Sequence, residues 1–372
     1  MTINISSLAS SLLAKFQDAS GTPVKGRIKP PSPASLAIEV ADLNEMAQGE
    51  LWIGPGGTRV CDFIFRGKYC IAFAASVTDE LREQISDYSE HSVDTIDVPG
   101  TLFLYLAHRL GLRPHKIDGL YVEEFISGPA SDGDGVDISV LKENLEEVNV
   151  FAVNDRSIFH ERATSKYVCN YICTFLNQSC LSETSIGIIR ELFLQEEKRH
   201  LIDDNLFEAM RTPLLKHAFL EVYRTLEFVF VLPRTNSLIT TLKKSGTSVN
   251  INAIDFARHC YKELGWKRVE QDAIDRLFRE YASVNLPAFV TLCHNSMIFR
   301  DEGLSAGATP EYISSAIDKV SRKFYKLRNQ VAHQFWPDEE IKCTDAEWKT
   351  IIDFTLRCVS HFYDQYLRKS AA

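Results

Sequence analysis

The chain has 372 residues, a formal net charge of -9, 45% hydrophobic and 24% charged residues. That length leads us to expect two or three domains with at least one full hydrophobic core, and the composition excludes wholesale disorder. The acidic balance excludes a protein coated in basic surface, so any nucleic-acid contact has to come from a local patch.

The first residues, MTINISSLASSLLAKFQD, lack a basic leader and their apolar run is interrupted by Ser-Ser, so they do not read as a signal peptide. Ile5, Leu8, Leu12, Leu13 and Phe16 fall near helical spacing and predict an amphipathic docking helix. From about residue 35 to 155 strand and helix patterns alternate. VCDFIF and YCIAF, joined by Arg66-Gly67-Lys68, predict a hairpin. LAIEV from Leu36, LYVEEF from Leu120 and VNVFAV from Val148 are further strand candidates, whereas TLFLYLAHRLGL from Thr101 reads as a helix ending at Gly111. Gly54-Pro55-Gly56-Gly57 lacks the lysine and following helix of a phosphate loop and is read as a turn. The SDGDGVD loop from Ser131 matches a calcium loop at Asp132, Asp134 and Glu143, but Val136 and Asp137 remove a ligand and the glycine of the sharp turn. A polar loop is the expectation there.

From about residue 160 onward helical periodicity dominates. Phe207 to Leu232 carries Phe219, Val222, Tyr223, Leu226, Val229 and Phe230 on one broad stripe, with Pro233 expected to stop it. Asp272 to Tyr281 carries Ile274, Leu277, Phe278 and Tyr281. A third segment runs from Glu311 to about Phe335, opened by Thr309-Pro310, and a fourth from Asp345 to Leu367. Long amphipathic helices with modest loops define a bundle. The expected architecture is therefore an α+β N-terminal domain, residues 1–200, followed by an all-α bundle, residues 201–372, with the boundary between residues 185 and 205 near the polar run EEKRHLIDDN. The longest apolar stretch, Leu226 to Leu232, is too short to span a bilayer and contains Glu227. Nine cysteines without a framework predict reduced thiols in a cytoplasmic protein, and Cys169 and Cys173 are read as packing thiols rather than metal ligands. No GxSxG, HExxH or dinucleotide fingerprint occurs.

One stretch, YKLRNQVAHQF from Tyr325, concentrates chemistry. Residues four apart on a helix differ by about 40° around the axis, so Asn329 and His333 share a face, while Arg328 lies about 100° from Asn329 and reaches back with its long side chain. Pro337 pushes Trp336 out of the helical region, which leaves His333 in the last turn, where the helix dipole favours positive charge. Lys319, Arg322, Lys323 and Lys326 recur at helical spacing and form a basic strip; a solvated face is the alternative reading of that strip.

This arrangement resembles the HEPN superfamily, whose ribonuclease members carry an Arg-x4–6-His motif, here Arg328, Asn329 and His333 within LRNQVAH. The resemblance extends to Tyr223-Arg224-Thr225-Leu226-Glu227, which looks like the YRxLE-type pattern of Apea-like HEPN domains, and it covers roughly residues 205 to 368. The alternative for Arg224 and Glu227 is a surface ion pair three residues apart. What the resemblance implies is a helical fold that dimerises about a two-fold axis, and a metal-independent endoribonuclease with no cofactor. Arg328, Asn329 and His333 would be its catalytic residues. Lys319, Arg322, Lys323, Lys326, Arg224, Glu227 and Tyr223 would bind RNA. Its expected setting is a prokaryotic toxin or antiphage defence system that cuts cellular RNA, such as tRNA, with the N-terminal half sensing a trigger or binding a regulatory protein. Some HEPN toxins carry, two residues after the histidine, a tyrosine that an antitoxin modifies; Phe335 stands at that position here. The rival reading is a catalytically silent HEPN module for dimerisation or RNA binding, and a third makes the N-terminal half an independent enzyme on a helical scaffold.

Overall fold

A computed structural model describes residues 4–21, 27–29, 33–88, 93–115, 135–154, 165–176, 178–194, 202–230, 232–244, 256–257, 270–333 and 341–367. The chain divides into two units, Met1–Gln178 and Ser179–Ala372.

In the first unit, alternating apolar residues build an antiparallel sheet in the order β1-β2-β3-β5-β4, from Ala47–Ile53 (β1), Arg59–Phe65 (β2), Lys68–Ala74 (β3), Val93–Thr95 (β4) and Val148–Val153 (β5). The expected hairpin is β2–β3. Arg66 and Gly67 both adopt positive φ, 50° and 74°, as the tight turn that matches strand twist requires. VNVFAV is β5, paired with β3. One sheet face presents Cys61, Phe63, Phe65, Cys70, Ala72, Val150 and Ala152 to helices Ile5–Ser20 (α1) and Gly100–Arg109 (α4). Leu12, Leu13 and Phe16 of α1 are buried there, so the first helix docks as its spacing predicts. Gly111, with φ 65°, ends the second helix.

Some strand expectations change. LAIEV lies inside the helix Pro33–Glu45 (α2). Its β-branched residues imitate a strand, but Leu36, Val40 and Leu43 also have helical spacing, Leu43 is buried, and a five-residue run does not decide between the two periods. LYVEEF lies outside the described residues. The sheet edges β1 and β4 were not anticipated, because β1 is almost wholly exposed and lacks an apolar alternation. Gly54 to Gly57 does form a turn, with Pro55–Gly57 in a single 3₁₀ turn. Residues 131–134 of the polar loop lie outside the described set, and Asp137 caps the helix Ile138–Asn144 (α5) by accepting from the Ser139 amide at 2.9 Å. Asp79–Tyr88 (α3) and Ser165–Cys173 (α6) complete the unit.

The second unit is helical in its described parts: Glu183–Leu194 (α7), Asp203–Arg211 (α8), Leu215–Val229 (α9), Leu232–Lys244 (α10), Glu270–Asn295 (α11), Pro310–His333 (α12) and Asp345–Leu367 (α13). The unit starts earlier than the expected boundary. Ser182 and Ser185 both donate to the carboxylate of Asp353 on α13, which ties α7 to the bundle ahead of the polar run. The segment from Phe207 to Leu232 is broken at Thr212-Pro213 into α8 and α9, and Pro233 falls in the first turn of α10 instead of ending a helix. Proline is tolerated there because a first-turn amide has no intrahelical partner. The third segment ends at His333, and α13 has the expected limits. Its start is a reciprocal cap: the Thr344 amide donates to Glu347 at 2.9 Å, and the Glu347 amide donates back to the Thr344 hydroxyl at 3.3 Å.

The core of this unit is aromatic. Phe324 of α12 is fully buried, with ring centroids 5.5 Å from Phe219, 5.8 Å from Tyr223, 5.1 Å from Phe278 and 6.2 Å from Phe354. It therefore touches α9, α11 and α13 at once. Truncation to alanine should cost about 3–5 kcal/mol; urea unfolding of Phe324→Ala beside the parent chain measures it.

Candidate active site

The described part of the LRNQVAH motif lies at the last turns of α12, whose inner face is fixed by Ala316, Ile317, Val320, Phe324, Leu327 and Val331 in the core. Arg328 sits at the edge of that buried face. Its Nη2 donates to Glu227 Oε1 of α9 at 3.0 Å, and its Nη1 donates to Asn329 Oδ1, also at 3.0 Å. The same Nη2 lies 3.8 Å from Glu270 Oε1, in the first turn of α11. The guanidinium carbon stands 5.5 Å from the centre of the Tyr223 ring, a distance at which a cation is attracted to an aromatic face. Four elements of chemistry thus meet: a guanidinium, two carboxylates, an amide and an aromatic ring. Arg328 and Glu227 each retain 22% side-chain exposure, so the cluster borders solvent.

Tyr223 occupies the floor. It is fully buried, and among the described residues its hydroxyl has no hydrogen-bond partner. Burial pushes this hydroxyl well above the ordinary tyrosine range; the negative charges of Glu270 and Glu227 add to the rise, and Arg328 opposes it. The phenol therefore stays neutral at any physiological pH.

The sequence-derived residues separate into groups. Tyr223, Glu227, Arg328 and Asn329 come together. Arg224 does not join them. It lies on the exposed side of α9 and pairs with Glu221 at 2.5 Å, so the alternative pairing of Arg224 with Glu227 is replaced by two different ion pairs. Lys319, Arg322, Lys323 and Lys326 are all exposed along one side of α12, as is His333 at its end. Five residues separate Arg328 from His333, about 140° around an ideal helix, so Asn329 stands angularly between them. The arginine faces its helical neighbours, and the histidine is on the outward side with the lysines.

Glu270 is the residue that sequence reading missed. It lies 58 positions from Arg328 by their numbers and carries no local motif; only the packing of α11 on α12 reveals it. The same seam holds a second cluster, in which Arg279 donates to Asp275 at 2.9 Å and to Ser314 at 2.7 Å and also pairs with Asp318. Burial pulls the Asp275 carboxyl upward, but the hydrogen bonds it accepts from Arg279 and Ser321 and the charge of Arg279 hold it below the usual carboxylate range. This cluster keeps α11 in register beside α12 and so places Glu270.

Cys169 and Cys173, one turn apart on α6, have sulfurs 3.8 Å from each other and are buried. Among the described residues no group of three or more His, Cys, Asp or Glu is arranged to hold a metal ion, and no helix is long and apolar enough to cross a membrane. Phe335 and Pro337 lie outside the described residues. No family model, no curated protein and no solved structure matches the chain.

The unpartnered phenol generates a stability test. Replacing a buried, unsatisfied hydroxyl by hydrogen removes a desolvation cost of about 1–3 kcal/mol. Tyr223→Phe should accordingly raise the melting temperature in scanning calorimetry, whereas Tyr223→Leu, which loses the ring under Arg328, should lower it.

Proposed function

We propose that this protein is a metal-independent endoribonuclease of the HEPN type. The observation that supports this most directly is the pairing of a held guanidinium, Arg328 on Glu227, with an exposed histidine, His333, at the end of the helix that carries the basic strip. A phosphodiester strand attracted by Lys319, Arg322, Lys323 and Lys326 would reach both groups without leaving that helix. Arg328 would stabilise charge developing on the phosphorane, and Asn329, already bonded to it, would help to aim it. His333 would handle protons. One imidazole does not easily remove a proton from the ribose 2′-hydroxyl and also protonate the departing 5′-oxygen, so two copies of the chain, related by a two-fold axis, would divide the tasks. The product is a 2′,3′-cyclic phosphate, which restricts the chemistry to RNA, since DNA lacks the nucleophile. The setting we infer is a cytoplasmic prokaryotic toxin or antiphage defence enzyme acting on cellular RNA such as tRNA, with the first unit responding to a trigger or a regulatory protein.

A second reading has its own support. Because Arg328 already faces two carboxylates, a silent HEPN module that dimerises or binds RNA without cutting it is the rival. The two readings part on His333→Ala. In a nuclease this change removes general acid–base catalysis and lowers cleavage by about 10²-fold or more, with melting temperature unchanged because the residue is exposed at a helix end; unchanged cleavage removes the motif from the mechanism. Mapping RNA 3′ ends in cells expressing each form reads the result. Cleavage by the purified protein should also persist in EDTA, and a strict need for Mg²⁺ would overturn the assigned chemistry.

A further inference from the structure

The two carboxylates around Arg328 are not equivalent. Glu227 makes a true hydrogen bond at 3.0 Å, whereas Glu270, at 3.8 Å, lies beyond hydrogen-bond reach and contributes charge alone. Glu270 is also the more exposed of the two, at 31% against 22%. It is the first residue of α11. Arginine carries more N–H donors than the two bonded to Glu227 and Asn329, and the Nη2 that Glu270 approaches is the one that donates to Glu227, so both carboxylates share one edge of the guanidinium. One guanidinium between two carboxylates leaves a net negative charge where an anion would have to enter.

We propose that Glu227 and Glu270 are positioning residues with different tasks: Glu227 holds Arg328 permanently, and Glu270 is an internal competitor that occupies the anion side of the guanidinium until an RNA phosphate takes its place. This inference rests on the reading of the end of α12 as an RNA-binding edge. No bond is made or broken in the exchange; one oxyanion replaces another beside the same cation, and the freed carboxylate moves into water. The fixed Glu227 contact lowers the ordering cost of Arg328, because the guanidinium is oriented before the strand arrives. The removable Glu270 raises the threshold for binding, so weakly held anions are rejected and a strand that also engages the basic strip is admitted. Specificity gained from an occupied site is a form of discrimination against poor ligands.

The test uses the full chain and a short fluorescein-labelled 2′-O-methyl RNA, which binds but lacks the nucleophile for cleavage. Anisotropy titrations are run on the parent, Glu270→Gln, Arg328→Gln, the double variant Glu270→Gln/Arg328→Gln, and Glu227→Gln, with thermal melts as a fold control. Glu270→Gln should tighten binding about fivefold or more, as expected when a like charge beside the phosphate is removed, and the gain should vanish in the Arg328→Gln background. Glu270→Ala should repeat the gain. Glu227→Gln should lower kcat on cleavable RNA more than it changes KM, and Glu227→Asp should restore part of the loss. Binding by Glu270→Gln within twofold of the parent overturns the exchange, as does a gain that survives without Arg328, which would be general electrostatics. Cleavage separates this from the parent reading. If every form binds as described and none cuts RNA, the exchange stands and the nuclease assignment falls; if the parent cuts RNA and Glu270→Gln binds no better, the nuclease stands and the exchange falls.

Discussion

Everything at the candidate site is referred to the position of α12, and that position is set by the Phe324 ring. Five other aromatic rings surround it, four of them from three helices and the fifth Phe299, with centroids between 5.1 and 6.2 Å. Aromatic rings are large, stiff and sensitive to mutual angle, so a helix anchored through one of them cannot rotate without moving several others. Leu327 and Val331 continue the buried face to the helix end. Since one residue corresponds to about 100° of rotation, fixing Phe324 also fixes Arg328 on the side toward α9 and α11 and leaves the lysines and His333 outside. Hydrophobic packing, with no directional chemistry of its own, thereby aims the polar groups.

The polar groups then add what packing does not provide. A half-buried arginine is costly unless its charge and its donors are answered. Glu227 answers the charge and one donor, Asn329 takes a second, and Tyr223 supplies an electron-rich surface beneath. The site accepts a fault in return: the Tyr223 hydroxyl is sealed away without a partner among the described residues. Structures retain such faults at places where shape or charge matters more than stability.

How much of this was legible in the sequence depends on the range of the interaction. Local periodicity sufficed for the hairpin around Arg66 and Gly67 and for α1, α4 and α13, because turn chemistry and helical spacing are short-range signals. LAIEV failed because its five residues satisfy two periods, and β1 failed because an exposed edge strand has no burial pattern to display. The same division holds at the site. Arg328, Asn329 and His333 are close in sequence and their angular relation follows from helix geometry. The pairing of Arg328 with Glu227 crosses about a hundred residues, and Glu270 enters from a third helix. Arg224 shows the opposite hazard: it shares a motif with Glu227, yet on α9 it is drawn to Glu221, which is equally near along the chain.

The bond from Ser182 and Ser185 to Asp353 spans about 170 residues. During translation the opening helix of the second unit waits for about 170 further residues before its hydroxyls find their acceptor, and Phe324 waits for Phe354. A ribosome-bound intermediate that has not yet released α13 has no finished bundle on which to seat Arg328. Late closure of long-range contacts slows folding, so the Arg328 cluster is among the last features of this unit to be completed.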